Sequence, residues 1–198
     1  MKIVIASHNK GKISEYQKLL GDKFEVVSCY QLGFTDDPEE TGATFEENAF
    51  IKAKAVFDFC HLPSLADDSG LMVDALNGEP GVFSARYAGT HGDDKKNYTL
   101  LLENLKGETN RKAHFKTAIS LITNEKVYSA TGETYGEILD KPIGLGGFGY
   151  DPVFYSYDLN KSFGEATSEE KNGVSHRFKA VQNLLKIIEK DADNGLIG

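Results

Sequence analysis

Lys2-Ile3-Val4-Ile5-Ala6-Ser7-His8-Asn9-Lys10-Gly11-Lys12-Ile13-Ser14-Glu15-Tyr16-Gln17-Lys18-Leu19-Leu20 holds the change of period that decides the fold class. Residues 2–6 are a short, mostly β-branched run, which stops at the polar stretch from Ser7 to Gly11. Beyond it, Ile13, Tyr16, Leu19 and Leu20 recur at helical spacing. The segment reads as strand, phosphate-sized loop and helix, the opening unit of an α/β protein.

Working outward, residues 24–28 read as a second strand and residues 31–43 as an acidic loop punctuated by Gly33, Pro38 and Gly42. Thr44 followed by Glu47 is a capping-box pattern. With Phe45, Ala49, Ala53, Val56, Phe57 and Cys60 behind it, a helix is predicted over about 44–60. A short strand is expected near 64–66, then a glycine-punctuated functional stretch over 67–89. Tyr98, Leu101, Leu102 and Leu105 predict a helix over 94–105. Residues 113–123 and 126–139 alternate and are rich in Thr, Ile, Val and Tyr, so they read as a long hairpin turning at Asn124-Glu125. Glycine is dense again over 142–152. Phe178, Val181, Leu184, Leu185 and Ile188 mark a last amphipathic helix, with fraying expected after about 191. Neither a repeat nor a linker breaks the pattern, so one domain is expected over residues 1–198.

Of the 198 residues, 40% are apolar and 26% charged, the balance of a folded globular chain. The net charge of −8 disfavours binding to a nucleic-acid backbone and leaves room for a small anion met by a local basic cluster and a metal ion. Two cysteines without paired spacing fit neither a disulfide framework nor a zinc site, and no apolar run reaches membrane-spanning length, so a cytoplasmic protein that binds no membrane is expected.

Asp67-Asp68-Ser69-Gly70 places two adjacent carboxylates beside a glycine. Magnesium favours such oxygen donors and bridges one or two carboxylates to phosphates, whereas an Asx-type turn accounts for the same four residues without a ligand. Glu39 and Glu40 offer further carboxylates, or simply a solvated loop. Ser7, His8, Asn9, Lys10, Gly11 and Lys12 set hydroxyl, amide and ammonium groups at a helix start, where backbone amides attract anions, or Lys12 is an ordinary exposed helix lysine. This is not a Walker loop: Ala6 stands where its first Gly belongs and Ile13 where Ser or Thr belongs. Phe148 and Tyr150, set among Gly147, Gly149 and Asp151, offer a stacking face for a base, or two core aromatics. Ser175-His176-Arg177 offers donors to a keto oxygen or phosphate, Ser175 serving equally as a helix N-cap.

Taken together these blocks resemble the inosine triphosphate pyrophosphatase family, the non-canonical purine or XTP/dITP pyrophosphatases, across essentially the whole chain. The resemblance rests on Ser7 through Lys12, Glu39-Glu40-Thr41-Gly42, Thr44 through Ala49, Asp67 through Leu71, Ser84-Ala85-Arg86-Tyr87, Gly147 through Pro152, Glu170-Lys171-Asn172 and Ser175-His176-Arg177. It implies an elongated mixed β-sheet with flanking helices, two lobes around a deep active-site cleft, and a homodimer. It implies hydrolysis of ITP, dITP and XTP to the monophosphate and pyrophosphate with Mg2+. By the same resemblance Asp68 is the proton acceptor and a magnesium-linked carboxylate, with Asp67 and one of Glu39 and Glu40 as further metal partners. Ser69 and Lys171 contact substrate, Ser7 through Lys12 hold the phosphates, Phe148, Gly149, Tyr150 and Asp151 the nucleoside, and His176 with Arg177 the base edge. His8 departs from the Thr-Gly-Asn opening of many relatives.

Overall fold

The structure, a computed structural model, describes residues 2–193. Strands β1 (Lys2–Ile5), β2 (Glu25–Ser28), β3 (Ser64–Val73), β4 (Lys112–Ile122), β5 (Val127–Ile138), β6 (Phe154–Ser156) and β7 (Lys161–Ser162) form one seven-stranded sheet in the order β2-β1-β3-β4-β5-β6-β7. β1 runs parallel to both β2 and β3, with Val4 opposite Val27 and Ser64, whereas β6 runs antiparallel to β5 and β7. The sheet is therefore mixed. The parallel pairs need crossovers, supplied by helix α1 (Lys10–Leu20) between β1 and β2 and helix α2 (Phe45–Cys60) between β2 and β3. Helices α3 (Asp94–Asn104), α4 (Ser168–Val174) and α5 (His176–Asp193) complete the chain.

Two compact units emerge, the chain passing between them within β3, β4, β5 and α5. The first comprises the chain up to Asp68, Thr117–Gly132, and the chain from Ala180 onward. Within it β1, β3 and the Thr117–Ile122 part of β4 are buried on both faces, because period-two alternation sends neighbouring side chains to opposite helical layers. Ile3, Ile5, Leu65, Ile119 and Leu121 pack with Tyr16 and Leu20 of α1 and with Ala180, Val181 and Leu184 of α5. Val4, Ala6, Ala66 and Ile122 pack with Ala53 and Val56 of α2 and with Phe34. The second unit comprises Ser69–Lys116 and Glu133–Lys179, with Leu71, Val73, Leu101, Leu105, Phe115, Phe154 and Phe163 at its centre. Along its whole length, in both units, β5 alternates between exposed and buried positions, as a sheet with one solvated face does.

Helix α2 starts where its sequence predicts: Thr44 and Glu47 close a reciprocal capping box. Asn9 caps α1 by accepting the Lys12 amide, so Lys10, Gly11 and Lys12 form the first helical turn. The hairpin turn closes with Thr123 N–H donating to Lys126 O at 3.0 Å. The strand expected near 64–66 continues to Val73, so Asp67-Asp68-Ser69-Gly70 lies within a strand and not at a turn. The Asp and Gly content obscured this, because tertiary pairing overrides weak β-propensity in a buried strand. Helix α4 was not anticipated, although Thr167 and Glu170 form a capping box of the same kind as α2. Helix α5 continues to Asp193, through the first residues after 191 where fraying is expected; the rest of that expectation falls on residues 194–198, outside the described residues. Among the described residues no helix is long and apolar enough to cross a membrane.

Candidate functional site

Because Asp67 and Asp68 are consecutive strand residues, their side chains leave opposite faces of β3. Asp68 is 7% exposed and faces α2: its Oδ2 accepts from Asn48 Nδ2 at 3.1 Å and its Oδ1 pairs with Lys52 Nζ at 3.2 Å. The same ammonium binds Glu40 Oε1 at 2.7 Å. Asn48 and Lys52 stand four positions apart on α2 and share a face, so one helix presents an amide and a cation to one carboxylate. Burial pushes the Asp68 carboxyl above its ordinary range; Lys52 pulls it down, Glu40 pushes it up, and the balance is raised. Burial disfavours the Lys52 ammonium, but Asp68, Asp67 and Glu40 outweigh that and raise its pKa.

The loop carrying Glu40 is tied to the same helix. Gly42 N–H donates to Asn48 Oδ1 at 2.8 Å, and a Cβ on Gly42 would meet Glu47 Cβ at 2.6 Å and Asn48 Oδ1 at 2.7 Å. Only glycine lets the loop pass this close. Farther back, His8 Nε2 lies 3.0 Å from Asp36 O, and its ring stacks parallel to Phe34 with centroids 6.5 Å apart.

On the α1 side, Lys12 Nζ pairs with the buried Asp67 at 3.2 Å. Ser7 Oγ accepts the Asn9 amide at 3.1 Å, and Lys10 and Gly11 are exposed at the helix start. Hydroxyl, ammonium and helix-start amides thus occupy one stretch, a donor set suited to phosphate oxygens.

In the second unit, Asp151 Oδ2 accepts from Phe148 N–H at 2.8 Å and pairs with Lys171 Nζ at 2.5 Å. That ammonium lies 4.3 Å from the centroid of the Phe148 ring, which is 48% exposed. Gly149 N–H donates to Asp94 Oδ2 at 2.7 Å. Tyr150 departs from the stacking expectation: it is 4% exposed, packs in the core, and donates its hydroxyl to Ser84 O at 2.8 Å. An exposed aromatic face is left to Phe148 alone of the two. His176 is buried and stacks on Phe115 with centroids 5.0 Å apart; Arg177 beside it is 2% exposed. Ser175 Oγ accepts the Phe178 amide at 3.1 Å, the N-capping bond its sequence suggested. Ser69 is half-buried on β3.

The structure joins Asp68, Glu40 and Lys52, and separately Asp67 and Lys12; Glu39 is exposed and stands outside the Lys52 pairing. Sequence reading missed Asn48, Lys52 and Asp94. The signal for the first two was present: both interrupt the apolar face formed by Phe45, Ala49, Ala53 and Val56. For a divalent cation, the Asp68 and Glu40 oxygens arrive from a strand and a loop and already share one cation, a donor set that suits magnesium. Among the described residues no group of three or more His, Cys, Asp or Glu side chains could hold a metal. A cation here would take its remaining ligands from water and substrate.

Solved structures share this fold. The Staphylococcus aureus Ham1 protein aligns with TM-score 0.88 at 42% identity, covering 96% of this chain and 100% of that one. A HAM1 protein from Coxiella burnetii aligns with TM-score 0.88 at 40% identity, covering 96% and 99%. The model of the Ham1 family matches residues 3–187, and the chain belongs to that family. Among curated relatives, the dITP/XTP pyrophosphatase of Bacillus subtilis is 45% identical, covering 94% of this chain and 96% of its own length. That of a Thermoanaerobacter species is 47% identical, covering 96% and 98%.

Proposed function

We propose that this chain hydrolyses the non-canonical purine nucleoside triphosphates ITP, dITP and XTP to the monophosphate and pyrophosphate, clearing them from the nucleotide pool. The names of its full-length relatives support the substrate class. The observation that carries the chemistry is the buried Asp68, held by Asn48 and sharing Lys52 with Glu40.

The reaction needs a water placed in line with the α-phosphorus and positive charge against the departing pyrophosphate. Asp68 is the base that orients and deprotonates the water, its raised proton affinity suiting that task. Lys12 and Lys52 neutralise phosphate oxygens, with Ser7, His8, Asn9, Lys10 and Gly11 supplying further donors at the start of α1. Asp68 and Glu40 would hold Mg2+, with Asp67 set on Lys12 and Glu39 exposed beside Glu40. When bound, Mg2+ supplies Lewis acidity and charge neutralisation at the triphosphate.

Phe148 stacks the purine while Gly149, Tyr150, Asp151, Ser69 and Lys171 shape and support the nucleoside site. His176 and Arg177, buried and directional, donate to the 6-keto oxygen. Adenine presents a donor there and would leave buried donors facing one another, a mismatch that discriminates by orders of magnitude. The same reading makes the chain one two-lobed domain that acts as a cytoplasmic homodimer and binds neither nucleic acid nor membrane.

Incubation with ITP and Mg2+ at micromolar protein tests the proposal. IMP and pyrophosphate are expected, with loss of turnover in excess EDTA. Inorganic phosphate and IDP as products would identify a different hydrolase, and nucleotide binding without turnover would identify a sensor.

A further inference from the structure

We infer that Asp94 is a positioning residue that clamps the Phe148–Gly149 peptide and so presents the Phe148 ring as a preset platform for the purine. The platform role rests on the reading above; the clamp is read from geometry.

Residues 142–149 contain four glycines by sequence, at Gly144, Gly146, Gly147 and Gly149, and form no helix or strand. Gly147 and Gly149 adopt left-handed φ values of +75° and +62° on either side of Phe148. Such a segment has much backbone entropy to lose when a ligand settles on it. Two consecutive amides in it are nevertheless fixed by carboxylates from separate elements. Phe148 N–H donates to Asp151 Oδ2 at 2.8 Å, and Gly149 N–H donates to Asp94 Oδ2 at 2.7 Å. Both bonds have the length of charge-assisted hydrogen bonds.

Asp151 is itself braced by Lys171, whose ammonium also lies against the Phe148 ring. Asp94 is held differently. It is the first residue of α3, but the N-cap of that helix is Asp93, which accepts the Lys96 amide at 3.1 Å. The Asp94 side chain is thereby released from capping and reaches the Gly149 amide instead. A large aromatic half open to solvent is in this way seated on a backbone fixed on both sides. Fixing the loop before the ligand arrives removes an ordering cost from binding and leaves the chemical step unchanged.

The chain has no tryptophan, so Phe148→Trp introduces a sole indole at the ring in question, excited at the red edge apart from the nine tyrosines. Steady-state anisotropy of that reporter, quenching by IMP, and ITP kinetics in the otherwise native chain form the test, with Asp94→Ala and Asp94→Asn as variants. Asp94→Ala is expected to lower the anisotropy of Trp at 148 in the free protein. It should raise KM for ITP roughly tenfold while kcat stays within about twofold, the loss of one charge-assisted bond being felt in binding. Asp94→Asn keeps an acceptor oxygen and is expected to restore most of both losses. Unchanged anisotropy in Asp94→Ala, with far-ultraviolet circular dichroism confirming a native fold, would overturn the clamp. A fall in kcat without change in KM would also overturn it. Should Asp94→Ala not fold, Asp94→Leu, which fills the space without an acceptor, takes its place: lowered anisotropy supports the clamp, and anisotropy equal to that of the parent overturns it. If the unmodified chain neither hydrolyses ITP nor shows quenching by IMP, the nucleotide reading fails, and the anisotropy comparison still decides the clamp.

Discussion

Asn48 donates to Asp68 Oδ2 at 3.1 Å while its own side-chain oxygen accepts Gly42 N–H at 2.8 Å, so one buried amide joins a strand carboxylate to the loop that carries Glu40. The two bonds also fix which way the amide points, because only its nitrogen can donate to a carboxylate.

Asn48→Ala leaves a buried carboxylate oxygen and a loop amide without this partner. Its expected cost is about 1–3 kcal/mol of stability, together with a clear loss of ITP turnover. Urea unfolding and initial rates check this; a variant as stable and active as the parent would show that the amide organises nothing.

Asp68→Asn should abolish turnover while the chain stays folded and still binds IMP, as seen by circular dichroism and calorimetric titration. The carboxyl of Asp68 is raised by burial from an ordinary value of 3.8, so the folded state holds this proton more tightly than the unfolded chain does. Its contribution to stability is therefore complete below 3.8 and is lost as pH rises through the higher folded value. The asparagine variant escapes that loss. Its stability relative to the parent is expected to improve from pH 4 upward and then level off, and urea midpoints across the acid range would reveal the opposite slope if the sign were wrong.

Lys52→Met removes the ammonium shared by Glu40 and Asp68. Breaking a mostly buried pair in this way is expected to cost about 3 kcal/mol, reduced where the carboxylates take up protons instead. Turnover should fall further than with Lys54→Met, which alters an exposed pair with Asp58 on the same helix. Equal effects on activity would place Lys52 outside the reaction.

Tyr150 and Phe148 should separate cleanly. Tyr150→Phe deletes the hydroxyl bound to Ser84 O and is expected to lower stability by about 1 kcal/mol with little change in KM. Phe148→Ala, at a half-exposed ring, should leave stability nearly unchanged and raise KM for ITP. The reverse pattern in thermal melts and kinetics would exchange their roles.

What the sequence by itself determined was local in origin. The strand, loop and helix of the opening segment, the Thr44 and Glu47 capping box, the hairpin around Asn124 and the amphipathic stripe of α5 each depend on side-chain period or on bonds spanning a few residues. The blocks from Ser7 to Arg177 likewise identified the family from their order alone. Tertiary structure decided what required pairing across the chain. The place of β3 between β1 and β4 sets the Asp67-Asp68 segment extended within the sheet, and extension in turn sends Asp67 to Lys12 and Asp68 to Lys52 on opposite faces. The Lys52 pairing takes in Glu40 and leaves Glu39 exposed, a difference that two adjacent glutamates in the sequence do not display. A carboxylate's neighbours in a folded sheet come from distant segments, and only the register of strands and the seating of helices on them bring those segments together.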